Sequence, residues 1–239
     1  MNTSTKAIIF NYTKYSDSSV VVKAFTKEFG LETYMLRGIK GKNRSKINYL
    51  QSLSLVDLTV FRKENKSLQI IQEIGFSHIY RSIPFDLTKT SIAIFLSEVL
   101  NKAIQEEERN TDLFQFIETA MLLLDNSETI TGFHTHFMVK LTSYLGFSPQ
   151  LSNEEFSFFN MEEGKFTVSK PITQYYVDND EAQIFHTLLQ QPLSQHAAIF
   201  KVLNGKSTFL NTVLLYYSLH VYGFKNIKSH KVLKEVLNN

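Results

Sequence analysis

Over the first 80 residues, apolar positions fall in short runs rich in β-branched and aromatic side chains, broken by turn-forming residues, a pattern that predicts strands. Five are expected, at 7–12, 19–25, 31–37, 53–61 and 68–74. In the fourth, Leu53, Leu55, Asp57 and Thr59 alternate with Ser54, Val56, Leu58 and Val60, so both faces are partly apolar, as in a sheet that curls onto itself. Five strands in about 75 residues fit a small closed barrel of the OB type, with an SH3-like barrel as the alternative. After Pro84-Phe85-Asp86 the period becomes helical: Asp86 is a suitable N-cap, and Ile92, Phe95, Leu96, Val99, Leu100 and Ala103 form one apolar stripe.

Further helices are expected at 113–124 and 133–145, the latter stopped by Gly146 with Pro149 beyond, and near 194–204, 207–222 and 229–237. Another starts after Asp178, where Glu181 three residues on resembles a capping box. In the helix near 207–222, Phe209, Leu210, Val213, Leu214, Tyr217 and Val221 form a stripe suited to a bundle core. The stretch at about 148–178 has Pro149, Gly164 and Pro171 and no clear period, and reads as an irregular insert with a small hairpin around Glu163-Gly164. The expected architecture is α+β and multi-domain: a five-stranded OB-fold barrel at 1–82, then an all-α helical domain at 83–239 carrying the insert.

Charge changes the picture. Residues 1–85 hold 13 Lys and Arg against 6 Asp and Glu, and the remainder hold 12 against 17, an asymmetry that the whole-chain value of +2 conceals. Within ten positions, Arg37, Lys40, Lys42, Arg44 and Lys46 occur with no acid among them. Two glycines and a preceding strand predict a loop projecting from a sheet rather than a helix face. Such a loop suits a polyanion, because neutralising phosphates releases condensed counterions; its ordinary alternative is a solvated turn. Arg37 and Arg44 suit bidentate phosphate contacts, and the lysines act as point charges. Lys6, Lys14, Lys23, Lys27, Arg62, Lys63 and Lys66 would extend the basic surface. Tyr12, Tyr15, Phe25 and Tyr34 on the strands are candidates for stacking on bases, with core packing the stronger reading for Phe25. Charge alone does not separate DNA from RNA.

Other chemistries are poorly supplied. The chain has no cysteine, which excludes disulfides, thiolate nucleophiles and Cys-ligated zinc. His134 and His136, two apart on a helix, point to opposite sides and do not make a metal pair. Asn204-Gly205-Lys206-Ser207 imitates the end of a P-loop, but Phe200 stands where its first glycine is required. Carboxylates at Asp178, Asp180, Glu106–Glu108 and Glu162-Glu163 form no spaced acid/base signature. The expectation is a protein that is not an enzyme and has no catalytic residues, no metal and no cofactor. No apolar run is long enough for a membrane span and the start lacks a secretory signal, so a cytoplasmic, nucleoid-associated location is expected.

The order Phe25-Thr26, Gly30-Leu31, Arg37-Gly38, the basic run to Lys46 and Leu50-Gln51 resembles the start of the bacterial RecO family of recombination mediators. The resemblance continues through residues 137–141 into Tyr144-Leu145-Gly146-Phe147 and Pro149, then through Leu214, Tyr216, Tyr217, His220, Gly223, residues 227–229 and Leu233. It implies an OB-fold and a helical domain, DNA repair and recombination, annealing of complementary strands, and help in loading RecA onto coated single strands. Its implied partners are single- and double-stranded DNA, RecR and single-stranded DNA-binding protein (SSB). The candidate DNA-binding set is Arg37, Lys40, Lys42, Arg44 and Lys46, which the resemblance supports, together with Tyr34 as a stacking candidate. For a pocket taking the acidic, apolar SSB tail, the local candidate is Phe137, Lys140, Leu141 and Tyr144. Many members carry a four-cysteine zinc site in the insert. This chain has no thiol there, and Phe156, Phe158, Phe159 and Phe166 are expected to replace the metal by packing. An RNA-binding or assembly module, and a metal-dependent nuclease, are the competing readings.

Overall fold

Strands β1 (Asn2–Ser16), β2 (Ser19–Thr26), β3 (Gly30–Arg37), β4 (Leu55–Phe61) and β5 (Leu68–Phe76) close into a barrel in the order β1-β2-β3-β5-β4. All neighbours are antiparallel except β3 and β5, which pair in parallel from Thr33↔Leu68 to Leu36↔Ile71. This is the five-stranded connectivity of an OB-fold. The computed structural model describes residues 2–63, 66–104, 108–202 and 209–237. Asn204–Ser207 and Glu106-Glu107 lie outside them.

The two-faced strand pattern has a direct cause. Ala7 and Ile9 of β1, with Val20, Val22, Ala24, Leu36, Val56, Leu58 and Val60, fill the barrel. Ile8 and Phe10, of opposite parity, are equally buried on its outer side. That side is covered by helices α1 (Leu87–Ala103) and α2 (Thr111–Asn126): Phe10 stacks on Phe25, and Phe25 packs against Phe114 of α2. Ser97 of α1 donates to the Phe10 carbonyl. The predicted stripe from Ile92 to Ala103 is buried throughout, and Asp86 caps α1 by accepting from Thr88 and Lys89 N–H.

Between β3 and β4 the chain departs from the expected projecting loop. Gly38 and Gly41 take positive φ (72° and 59°), which lets the chain turn sharply on either side of Ile39. Ile39 is buried in the barrel core. From Gly41 the chain coils into a 3-10 helix, Gly41–Leu50, so the basic run lies largely on a helix. Ile39, Ile47, Tyr49 and Leu50 hold this helix to the barrel, an apolar set that the density of lysines masked. Strand β4 starts at Leu55 instead of position 53, because Leu53 takes φ +60° and turns the chain, held by its N–H on Ile9 O (2.7 Å) and by Tyr80 Oη on its own carbonyl (2.7 Å).

The connector after the barrel is fixed by one carboxylate. Asp125, at the end of α2, accepts from the N–H groups of Arg81 (2.8 Å), Ser82 (2.8 Å) and Ile83 (3.0 Å). Lys89 donates to Ser82 Oγ and to the Asp125 carbonyl. Burial pushes the Asp125 carboxyl up, but these backbone donors outweigh it and hold it below the usual range.

By packing, the chain forms two compact units, 1–126 with 227–239, and 127–226. The second contains α3 (Phe133–Tyr144), a three-stranded sheet of β6 (Phe158–Asn160), β7 (Lys165–Thr167) and β8 (Tyr176–Val177), then α4 (Asn179–Gln190), α5 (His196–Val202) and α6 (Phe209–His220). The expected hairpin at Glu163-Gly164 joins β6 to β7. Phe159 lies 4.8 Å (ring centroids) from both Phe166 and Phe185, and Phe156 lies 4.7 Å from Phe166. Phe158, on the opposite face of β6, meets Tyr176 instead. The expected capping box is not formed: Asp178 makes no side-chain cap, and Glu181 accepts from Thr212 of α6. Helix α7 (Ser229–Leu237) returns the chain to the first unit and packs on α1. Glu98 of α1 caps it, accepting from Lys228 N–H (3.0 Å), Ser229 N–H (2.9 Å) and Ser229 Oγ (2.6 Å). Among the described residues no helix is long and apolar enough to cross a membrane.

Candidate nucleic-acid interface

β1 pairs with β4 only as far as Ile8↔Leu55, whereas its pairing with β2 runs on to Ser16↔Ser19. Its last six residues therefore stand out as one arm of a hairpin, and residues 11–18 are exposed. Tyr12 (42% exposed), Lys14 and Tyr15 (70%) lie on this arm. The register Ser19↔Arg37 brings the start of the basic run beside the hairpin tip. There Asp17 bridges two cations, Lys14 at 3.3 Å and Lys40 at 3.2 Å.

Arg37, Lys40 and Arg44 are exposed and Lys46 is half-buried; the side chain of Lys42 is outside the described residues. The anchoring of Ile39 and Leu50 fixes the backbone that carries these cations, which lowers the conformational entropy lost when a polyanion binds. Part of the wider basic surface is already engaged. Lys6 pairs with Glu118 (3.6 Å), and Arg62 pairs with Glu32 (2.5 Å) while lying 3.8 Å over the Phe29 ring. Lys6 and Arg62 are thus partly neutralised by local acids, as Lys40 of the 37–46 run is by Asp17.

Two parts of the expected site need correction. Tyr34 is fully buried in the barrel core and donates its hydroxyl to Glu32, so its ring is not offered to a base. Its position in β3 gives it the inward parity shared with Leu36, and the polar tip is satisfied from inside. Phe25, whose ordinary reading was core, is core. In the second unit, Phe137 and Leu141 are fully buried on a helix that packs against both α4 and α6, so they do not line an open groove. Lys140 donates to the Leu189 carbonyl (2.8 Å) and His136 Nε2 lies 2.9 Å from Leu188 O, so both side chains serve the C-terminal end of α4. Burial pulls the Lys140 ammonium below its ordinary pKa. Of that quartet only Tyr144 is exposed.

His134 and His136 are both buried, and burial lowers each to about 4, keeping the rings neutral at physiological pH. Among the described residues, no group of three or more His, Cys, Asp or Glu side chains is placed to hold a metal. The insert, for which the resemblance raised a zinc site, holds a Phe156, Phe159, Phe166 and His186 cluster, a donor set that does not fit such a site.

Sequence reasoning did not anticipate a groove of about 550 Å³ where β1 leaves β4, lined by Asn11 and Tyr12, by Ile47, Asn48 and Gln51, and by Ala93 and Ile94 of α1, among others. Its walls come from three separate stretches of chain with no shared motif.

Residues 1–80 match the family described as Recombination protein O N terminal, and residues 84–229 match Recombination protein O C terminal. The chain is 35% identical to the DNA repair protein RecO of Flavobacterium psychrophilum over the full length of both, and 34% identical to that of Flavobacterium johnsoniae over the same span. It is 32% identical to the DNA repair protein RecO of Christiangramia forsetii, covering 97% of this chain and 98% of that protein. Both family matches meet at the connector between barrel and helices, and similarity extends over every element described above: the chain belongs to the RecO family.

Proposed function

We propose that this chain acts in DNA repair and homologous recombination by binding single-stranded DNA, annealing complementary strands, and helping to load RecA onto SSB-coated DNA. The observation that carries the reading is the fixed basic run, with Arg37, Lys40, Arg44 and Lys46 borne on a backbone anchored to an OB-type barrel beside two exposed tyrosines. Cations so placed screen two strands at once, which lowers the repulsion that opposes their meeting. No step requires a nucleotide or a covalent intermediate. The barrel, at 1–82, holds DNA, both single and double strands, and the helical part at 83–239 recruits SSB, with RecR as a further partner. Phe137 and Leu141 take no direct part in that recruitment, since both are core. Such a protein works in the cytoplasm, at the nucleoid.

The test is annealing of complementary labelled single strands, bare and SSB-coated, by wild type and by the variant with Arg37, Lys40, Lys42, Arg44 and Lys46 all changed to Ala. The variant loses annealing, and its binding depends less on salt, with a log–log slope shallower by up to about 3.5. Equal annealing by a folded variant refutes the role of this run. Preference for a matched RNA oligonucleotide would support the RNA-binding reading instead, and magnesium-dependent cleavage of labelled DNA would support the nuclease reading.

A further inference from the structure

We propose that the groove between β1, the 3-10 helix and α1 receives an unpaired nucleobase from the strand whose phosphates lie on the adjacent basic run. The inference rests on the single-strand reading above and adds the residues that would recognise the base. The groove, at about 550 Å³, is of the size that takes small planar ligands. It is lined by Tyr12, by the apolar residues Ile47, Ala93 and Ile94, and by Asn11, Asn48 and Gln51, three residues with carboxamide side chains.

Each carboxamide offers both a donor and an acceptor, the complement of a base edge. Among the described residues no carboxylate, ammonium or guanidinium lines the groove, so it suits an uncharged group. Charge lies immediately outside, on the same helix: Arg44 and Lys46 directly precede Ile47 and Asn48. A ligand with an uncharged, planar, polar-edged group attached to an anionic backbone matches both features, and a nucleotide within a single strand is such a ligand. An acidic peptide with apolar side chains shares the charge pattern but gives three carboxamides no particular purpose. Paired bases are stacked and hydrogen-bonded, so only an unpaired base can enter without paying for unpairing.

The groove is built to persist. Ile83 and Pro84 form part of its wall, and the connector that carries them is held by Asp125. Leu53, in its left-handed conformation, is tied to Ile9 and Tyr80 just beyond Gln51 and Ser52. Tyr12, Asn48 and Gln51 are exposed, so their replacement leaves the core intact.

The experiment compares wild type with Tyr12→Ala/Asn48→Ala/Gln51→Ala in binding to three probes of equal phosphate count: a thymidine oligonucleotide, its abasic counterpart, and a duplex. Wild type binds the base-bearing single strand about tenfold more tightly than the abasic one, corresponding to about 1.4 kcal/mol. The variant binds both with the wild-type abasic affinity and keeps the wild-type salt slope. A wild type that does not distinguish base-bearing from abasic strands, or a variant that keeps the preference, overturns the base site while salt-dependent binding leaves the phosphate reading intact. Absence of salt-dependent binding to any probe removes both. A labelled acidic, apolar peptide is the fourth probe: if the variant loses it while base preference is unchanged, the groove is a peptide site and the proposal fails.

Discussion

Asp125→Ala should loosen the connector between barrel and helices, and the structure allows its cost to be worked out donor by donor. Oδ2 accepts from Arg81 N–H, and Oδ1 accepts from Ser82 and Ile83 N–H. Arg81 is exposed and its N–H can turn to water, whereas Ile83 is buried and Ser82 half-buried. Two donors are therefore left dry, each costing about 1.5–2 kcal/mol, for a total of about 3–4 kcal/mol. Asp125→Asn keeps an oxygen for Ser82 and Ile83 but faces an NH₂ toward Arg81 N–H, and should cost about half as much. Urea unfolding followed by far-ultraviolet circular dichroism measures both, because the chain has no Trp. The pH dependence adds a second check. The folded carboxyl lies below its unfolded value, so its stabilisation is complete above the ordinary carboxylate range and is lost as pH falls through the depressed value. The gap between wild type and Asp125→Ala should narrow as the solution is acidified. A loss under about 1 kcal/mol for Ala at neutral pH, or equal losses for Ala and Asn, refutes the assignment of the connector's order to this carboxylate.

Glu98→Ala removes the cap of α7 and should cost about 1–2 kcal/mol, with loss of amide-exchange protection confined to 229–237; unchanged protection there refutes it. Tyr34→Phe deletes the hydroxyl bond to Glu32 and should lower stability by about 1 kcal/mol while leaving affinity for single strands within twofold; a larger loss of affinity would return Tyr34 to the interface. His134 and His136, lowered from 6.5 to about 4 by burial, bind protons more readily when unfolded, so stability present above pH 6.5 should fall between there and pH 4, by up to about 3 kcal/mol for each. Unfolding of the His134→Gln/His136→Gln variant across that range should be flatter than wild type; parallel curves refute the argument.

Features set by neighbouring residues were legible in the sequence. The strand and helix periods depend only on which side chains alternate or recur every three to four positions, so the five strands and the α1 stripe could be read directly. Asp86 as an N-cap and the Glu163-Gly164 hairpin are equally local, and the clustering of five cations within 37–46 is a fact of sequence alone. The aromatic filling of the insert was expected only through the family resemblance, which implied a metal site there that a chain without cysteine could not supply.

What tertiary structure decided was direction and company. Whether Tyr34 faced a base or the barrel depended on the closure of β3 against β2 and β5, which no window of sequence contains. Lys140 looked like a free cation beside an apolar stripe until α4 brought its terminal carbonyls to it. The basic run became a helix because Ile39 and Leu50 find the barrel core, an attraction that its charges conceal. The groove exists only where β1 parts from β4 and two distant stretches fill the gap, and Asn11, Asn48 and Ile94 are individually unremarkable. Periodicity records how one element meets its surroundings on average; which partner it meets is set by chain closure and by burial across long separations in sequence.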